Sequence, residues 1–328
     1  MQFAFIPVKL QAGVFDRETP TPFKVPIDGS LTRGQLGSGT SGEVFSIVAF
    51  PSEFRYFEQP PKGFAIKRIA ETDEVDREIR VLTQLNKIPP NNRQAIALAP
   101  IYTGFRRGTV TYLVGALADM DLDRFMKENP NPSSMNIQRK LILLQLRGLA
   151  QALNICHTKL DGYSIYNHDL KPENILVFKD PAKKQTTLKI TDWGSADAKP
   201  FNHSGGGASP RSQCGVNPPY TAPKCRHDAP TSRRHDIWSL GCIFAEILIW
   251  YTKVWSALEK FRVDREAEND EDWCMNPGSV LVGTVRQALA NLETAGWHPQ
   301  VSLIKWMLSF QEASRPTANQ VASHAALR

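Results

Sequence analysis

One acid, one base and one amide fall within six residues of each other in Asn167-His168-Asp169-Leu170-Lys171-Pro172-Glu173-Asn174-Ile175-Leu176, and a second acid follows 18 residues after Asn174 in Asp192-Trp193-Gly194. Phosphoryl transfer asks for an acceptor of a hydroxyl proton, a cation for the moving phosphoryl group and oxygen ligands for magnesium. Asp169, Lys171, Asn174 and Asp192 are residues of those types. The competing reading is a solvated turn carrying incidental charges. The strand expected over Leu188–Thr191, which delivers Asp192 at its end, argues against it.

Nearer the N-terminus, Leu36-Gly37-Ser38-Gly39-Thr40-Ser41-Gly42-Glu43-Val44 sets three glycines at a spacing that lets backbone N–H groups approach a phosphate. Alone this motif is weak, because a hairpin turn or a dinucleotide-binding turn fits the same letters. The dinucleotide version leads into a helix and wants an acid about 20 residues on. Here a strand follows, and the distinctive residue downstream is Lys67 in Phe64-Ala65-Ile66-Lys67. A lone strand lysine is ordinarily solvated, so its partner matters. Glu78 lies on the next expected helix beside Ile79 and Leu82, while Glu71 and Glu74, in the connection before it, are alternatives. A Lys–Glu pair at ~4 Å and an effective dielectric of ~20 gains about 4 kcal/mol of Coulomb attraction before desolvation.

The elements that must position these groups change character along the chain. Residues 1–30 are punctuated by Pro7, Pro20, Pro22 and Pro26 without sustained periodicity and read as an extension. Strands are expected around Val44–Val48, at Phe64–Lys67, and in a hairpin of Ile101–Arg106 with Thr109–Val114. Val75, Ile79, Leu82 and Leu85 predict a helix over Val75–Lys87. Beyond residue 120 helical spacing dominates: Asn136–His157, a nearly all-apolar Asp236–Tyr251, Leu303–Phe310 and Thr317–Ala326. The acid-rich run Asp264–Asp272 reads as a solvated loop, and the Ser/Gly/Pro-rich Phe201–Pro219 as a long loop. The chain is thus strand-rich early and helix-rich late, changing between Ala116 and Asp121. That predicts an α+β fold of two unequal lobes with a cleft between them.

Composition excludes several classes. Lys plus Arg total 39 against 33 Asp plus Glu in 328 residues, a net charge of +6 without a basic tract, so no nucleic-acid partner is expected. The longest apolar run, Ile243–Tyr251, carries Glu246 and is far short of a membrane span. No basic stretch followed by an apolar core opens the chain, so no secretory signal is expected. Five cysteines, odd in number and without Cys-x-x-Cys spacing, fit a reducing, intracellular home.

Taken together, these motifs closely resemble the eukaryotic protein kinase family, over about residues 31–328. The resemblance implies a small β-rich lobe over 31–117, a larger helical lobe over 118–328, and ATP with Mg2+ between them. It implies that Gly37, Gly39 and Gly42 cover the phosphates, with Leu36, Val44 and Ala65 above the adenine and Leu176 below it. Lys67, positioned by Glu78, would contact the α- and β-phosphates. Asp169 would orient the substrate hydroxyl and take its proton, Lys171 would steady the γ-phosphoryl, and Asn174 and Asp192 would hold magnesium. The lysine two places after Asp169 resembles Ser/Thr-directed members, which implies a protein substrate with a Ser or Thr hydroxyl. Tyr220-Thr221-Ala222-Pro223, the run Asp236–Gly241 and Arg315-Pro316-Thr317 are similar to later landmarks of the family. Asp236 would brace the catalytic loop through backbone N–H groups.

Several positions depart from that pattern. Asn167 stands where the family usually has His, and His168 where most members have an Arg that grips a phosphorylated loop. A mostly neutral imidazole is a poor phosphate clamp, so activity without loop phosphorylation is expected. Trp193 replaces the usual Phe, Asn217 a common Thr, and Lys224 a Glu that normally pairs with the equivalent of Arg315. Two cations there would repel, so Lys224 is expected to point away from Arg315, with Glu312 or Asp228 as substitute acids. The leading reading is a protein Ser/Thr kinase. A pseudokinase acting as a nucleotide-binding or scaffolding module is the alternative, and a small-molecule kinase is a third.

Overall fold

The fold was analysed in a computed structural model, which describes residues 32–39, 42–47, 63–70, 73–89, 92, 97–107, 109–135, 137–158, 160, 162–180, 182, 185–200, 218–223, 232–268, 275–276 and 280–328. The N-terminal extension 1–30, Asn217, Lys224 and Asp228 lie outside the described residues, as does most of the Ser/Gly/Pro-rich run.

Five strands build the first sheet: β1 (Thr32–Gly39), β2 (Gly42–Ile47), β3 (Phe64–Ala70), β4 (Ile101–Arg107) and β5 (Val110–Ala116). They pair antiparallel in the order β1-β2-β3-β5-β4. Gly39 faces Gly42 at the tip of the first hairpin. Gly42 has φ +119°, and a Cβ there would stand 2.4 Å from the Arg68 carbonyl oxygen, so only glycine fits. Helix α1 (Asp73–Leu85) lies beside the sheet and buries Val75, Glu78, Ile79 and Leu82 along one face. That three- and four-residue spacing is the one expected from the sequence.

The second lobe opens with β6 (Met120–Asp121) and α2 (Leu122–Glu128), where the Asp121 carboxylate accepts from the Arg124 N–H at 2.8 Å as an N-cap. Helix α3 (Arg139–His157) is followed by β7 (Tyr163–Tyr166), β8 (Ile175–Asp180), β9 (Gln185–Ile190) and β10 (Asp197–Pro200). These make two small sheets, β6-β8-β9 and β10-β7. Helix α4 (Arg233–Lys253) is buried almost all round its first five turns, as its continuous apolar composition requires. Around it pack α5 (Trp255–Glu268), α6 (Gly283–Thr294) and α7 (His298–Met307), while α8 (Ala318–Ser323) packs against α3. One continuous apolar core joins Val75 and Ile79 of α1 to Leu146, Leu153, Trp238 and Phe244. Among the described residues, no helix is long and apolar enough to cross a membrane.

The architecture is the two-lobed α+β fold expected, with local corrections. Asp264–Glu268 does not lie in a loop: it is the last stretch of α5. There Asp264 pairs with Lys260 at 2.9 Å, and the Glu268 carboxylate accepts from the Gly283 and Thr284 N–H groups that open α6. α2, α6 and the strand β1 were not anticipated. α7 begins at His298, earlier than Leu303, because Pro299 suits a first helical turn.

Candidate active site

Strand β3, central in its sheet, presents Lys67, and α1 turns Glu78 toward it. The ammonium donates to Glu78 Oε1 at 2.8 Å and Oε2 at 3.0 Å, and to Asp192 Oδ1 at 2.8 Å. Three residues from β3, α1 and the end of β9 therefore meet at one nitrogen. Burial disfavours the Lys67 ammonium, but the Glu78 and Asp192 carboxylates outweigh it and hold its pKa above the ordinary lysine value. Burial likewise works against the Asp192 carboxylate, and the facing Lys67 prevails, keeping its pKa below the ordinary carboxylate value. Asp192 sits at φ +55°, a left-handed conformation, with Oδ1 also accepting from the Gly194 N–H at 3.2 Å. Trp193 beside it is buried.

The second group gathers on the loop between β7 and β8. Lys171 donates to Asp169 Oδ2 at 2.7 Å. The Asn174 amide nitrogen donates to the Asp169 carbonyl at 2.8 Å and to Oδ2 at 3.0 Å. A 3-10 turn, Pro172–Asn174, returns the side chain of Asn174 to Asp169. Burial raises the Asp169 pKa, with Lys171 acting against it and the charge of Asp192 acting with it, so the two acids lie within each other's field. Asn167 joins the groups directly: its amide nitrogen donates to the Asp192 carbonyl at 3.2 Å, and its side-chain oxygen accepts from the Asp169 N–H at 3.2 Å. Nothing in its type alone pointed to this bridging position.

Behind the loop, fully buried Asp236 accepts from the backbone N–H of Asn167 through Oδ2 and of His168 through Oδ1, both at 2.9 Å. This is the bracing expected of it. His157 Nε2 lies 2.8 Å from Asp236 Oδ2, a partner the sequence did not suggest. Despite burial, the His157 bond and the backbone donors keep the Asp236 carboxyl below its ordinary pKa. His168 is buried, and burial lowers its pKa to about 4, so the imidazole is neutral at pH 7.

The remaining expected residues lie on the first sheet and on β8. Val44 stands opposite Lys67 in the β2–β3 pair, and Ala65 opposite Gly115 in the β3–β5 pair. Gly37, Gly39 and Gly42 lie on the β1–β2 hairpin, Leu36 is 54% exposed, and half-buried Leu176 is on β8 in the other lobe. Further down, Tyr220 donates its hydroxyl to both oxygens of buried Glu246, at 3.1 and 3.0 Å. Glu246 also holds Arg262 at 2.6 Å and Arg265 at 3.3 Å, and Arg262 reaches Asp123 at 2.6 Å. Arg315, 2% exposed, donates to the carbonyls of Ser309, Arg234 and Phe310 at 2.8, 3.2 and 3.2 Å, and stacks over Trp238 with 5.0 Å to the ring centroid. Among the described residues no carboxylate ion-pairs with it, and Glu312 instead accepts from the Ser232 hydroxyl.

Among the described residues no three His, Cys, Asp or Glu side chains converge as a metal cage. Magnesium needs none, because it takes one or two protein oxygens together with phosphate and water. Asn174 uses its amide nitrogen for both bonds to Asp169, leaving its carbonyl oxygen as the remaining side-chain donor atom for a hard cation. With an ionised Asp192, the donor set fits magnesium.

A protein kinase domain family model matches residues 31–327. The chain is 27% identical to Cyclin-dependent kinase B2-2 of Arabidopsis thaliana over 273 residues, covering 76% of this chain and 77% of the relative. It is 26% identical to the MAPK/MAK/MRK overlapping kinase of Mus musculus over 313 residues, 89% of this chain and 66% of that protein. It is 31% identical to Cyclin-dependent kinase-like 4 of Homo sapiens over 211 residues, 64% and 45% of the two chains.

Proposed function

The chain belongs to the protein kinase family, and from that premise we propose that it transfers the γ-phosphoryl group of ATP to a Ser or Thr hydroxyl of a protein. The observation that carries this reading is the bonding of Lys67 to both Glu78 and Asp192 at 2.8 Å, with Asn167 linking Asp192 to the Asp169 loop. Catalysis of this kind rests on positioning and electrostatics.

In the proposed mechanism Lys67 neutralises phosphate charge at the inner end of the cleft. The β1–β2 hairpin covers the phosphates with backbone N–H groups around Gly37, Gly39 and Gly42, and Leu36, Val44, Ala65 and Leu176 enclose the base. Asn174 and Asp192 would hold magnesium, which supplies positive charge to the β- and γ-oxygens when bound. Asp169 orients the incoming hydroxyl and accepts its proton, and its burial-raised pKa brings it closer to the pH of the reaction. Lys171, now on Asp169, turns its charge to the phosphoryl group in transit. Within one domain, the lobe over residues 31–117 supplies most of the groups that hold ATP, and the lobe over 118–328 supplies Leu176, the magnesium ligands and the groups of the chemical step. An intracellular home is part of the proposal, supported by Cys156 and Cys242 being buried free thiols.

Radiolabelled phosphate transfer from ATP with magnesium to generic protein substrates, beside Asp169→Asn, tests the reading. Transfer by the wild type with a loss of about 100-fold or more in the variant is expected, the size of a general-base contribution. ATP binding without turnover in either protein would instead make the chain a nucleotide-binding module.

A further inference from the structure

Next to Glu78, Arg77 leaves α1 toward β10. Its Nε stands 3.8 Å from Asp197 Oδ1, and Asp197 Oδ2 stands 3.6 Å from Lys199 Nζ on the same strand. The Lys199 ammonium in turn lies over the Tyr166 ring, 5.4 Å from its centroid, and Tyr166 meets His168 edge to face at 5.8 Å. Strand β10 pairs with β7, Asp197 opposite Tyr166, and β7 runs directly into Asn167, His168 and Asp169. Asp197 is also five residues beyond Asp192. One carboxylate thus touches the helix that carries Glu78 and stands on the strand that flanks the catalytic loop.

We infer that Asp197 is a positioning residue, holding α1 through Arg77 in the place from which Glu78 reaches Lys67. A rotation of α1 that withdraws Glu78 must also carry Arg77, its neighbour in sequence, away from Asp197. The two contacts therefore form or break together, coupling Lys67 to the segment that follows Asp192. Asp197 supplies this anion from the chain itself, with no covalent modification. The inference deepens the kinase reading and rests on it for its effect on turnover, but the geometry it asserts is independent of catalysis.

A double-mutant cycle of Arg77→Gln and Asp197→Asn, with Asp197→Glu as the conservative variant, tests it by two readouts. The first is kcat and KM for ATP in the transfer assay. The second is amide hydrogen exchange of α1 (Asp73–Leu85) measured against α3 (Arg139–His157). Each single variant is expected to lower kcat/KM for ATP about fivefold, as suits a partly exposed ion pair, chiefly through KM. Each is also expected to speed exchange in α1 by about the same factor while leaving α3 unchanged. The double variant should match Asp197→Asn, because the contact with Arg77 is already lost there, and Asp197→Glu should recover at least half of the wild-type value. Multiplicative effects of the two substitutions, or unchanged exchange in α1, overturn the inference. A wild type that transfers no phosphate overturns the kinase reading alone, and exchange in α1 then decides the positioning role.

Discussion

Asp236 Oδ1 accepts the backbone N–H of His168 at 2.9 Å, and His168 holds a positive φ of 65° at that point. The conformation is costly for a side-chain-bearing residue, and the buried carboxylate compensates by satisfying two consecutive backbone donors and an imidazole. The direction in which Asp169 leaves β7 is set by this joint rather than by Asp169 itself.

Asp236→Asn keeps the shape but replaces one acceptor oxygen with a donor, so one of those buried N–H groups loses its partner. A loss of about 1–3 kcal/mol of stability is expected, measured by urea unfolding. Transfer activity should fall more than nucleotide affinity, because the loop carrying Asp169 is displaced while Lys67 is not. Equal loss of both would place the role of Asp236 elsewhere.

Glu78→Gln tests the other joint. Lys67 would retain Asp192 as its only carboxylate, and the ammonium would be drawn away from the phosphates. ATP affinity by calorimetry should weaken about tenfold, the equivalent of about 1.4 kcal/mol. Unfolding midpoints should fall less than for the removal of an acid that leaves its cation unpaired, because Lys67 keeps Asp192 as a charge partner.

His168 makes stability depend on pH with a definite sign. Burial holds the imidazole neutral down to about pH 4, with Asp236 and Asp197 favouring its protonation and His235 and Lys199 opposing it. In the unfolded chain it protonates near 6.5. The unfolded state therefore binds more protons between those values. Stability is fully present above about pH 6.5 and is lost, by up to roughly 3 kcal/mol, as pH falls toward 4. Burial lowers the His235 pKa as well, so its contribution to this dependence has the same sign. His168→Gln should reduce the drop in Tm between pH 7.5 and pH 5 without abolishing it. An unchanged drop would refute the assignment.

The buried acid Glu246 allows a comparison of two partners. Glu246→Gln removes the buried acid shared by Arg262 and nearly inaccessible Arg265, and a cost of about 3–5 kcal/mol is expected. Tyr220→Phe removes one hydrogen bond from an acid that keeps both arginines, at a cost of about 1 kcal/mol. Denaturant midpoints of the two variants decide the order, and a larger loss for Tyr220→Phe would contradict it.

Much of this arrangement was legible before the structure, and the reasons differ by residue. The loop from Asp169 to Asn174 is local, so spacing alone brings its polar groups together. Lys67 and Glu78 sit on adjacent elements whose periodicity is clear, and Lys67 bonds Glu78. The contacts of His157 with Asp236 and of Tyr220 with Glu246 span 79 and 26 residues, between side chains of ordinary type. α5 escaped notice because Arg262 and Arg265 turn inward to an acid, giving its buried face a charged pattern that looks solvated. Asn167 departs from the family pattern by type, yet its amide supplies both the donor and the acceptor that join Asp192 to the Asp169 loop.

The way Arg315 is held has a consequence for how the large lobe tolerates change. All three acceptors are main-chain oxygens, of Ser309, Arg234 and Phe310, and burial draws the guanidinium pKa down to about 10 without endangering its charge at neutral pH. Exchanging the side chains at 309 or 310 leaves those oxygens where they are, and salt has little purchase on a contact so enclosed. The clasp between the start of α4 and the chain's last turns is therefore proof against drift in its neighbours and has a single point of failure, residue 315 itself.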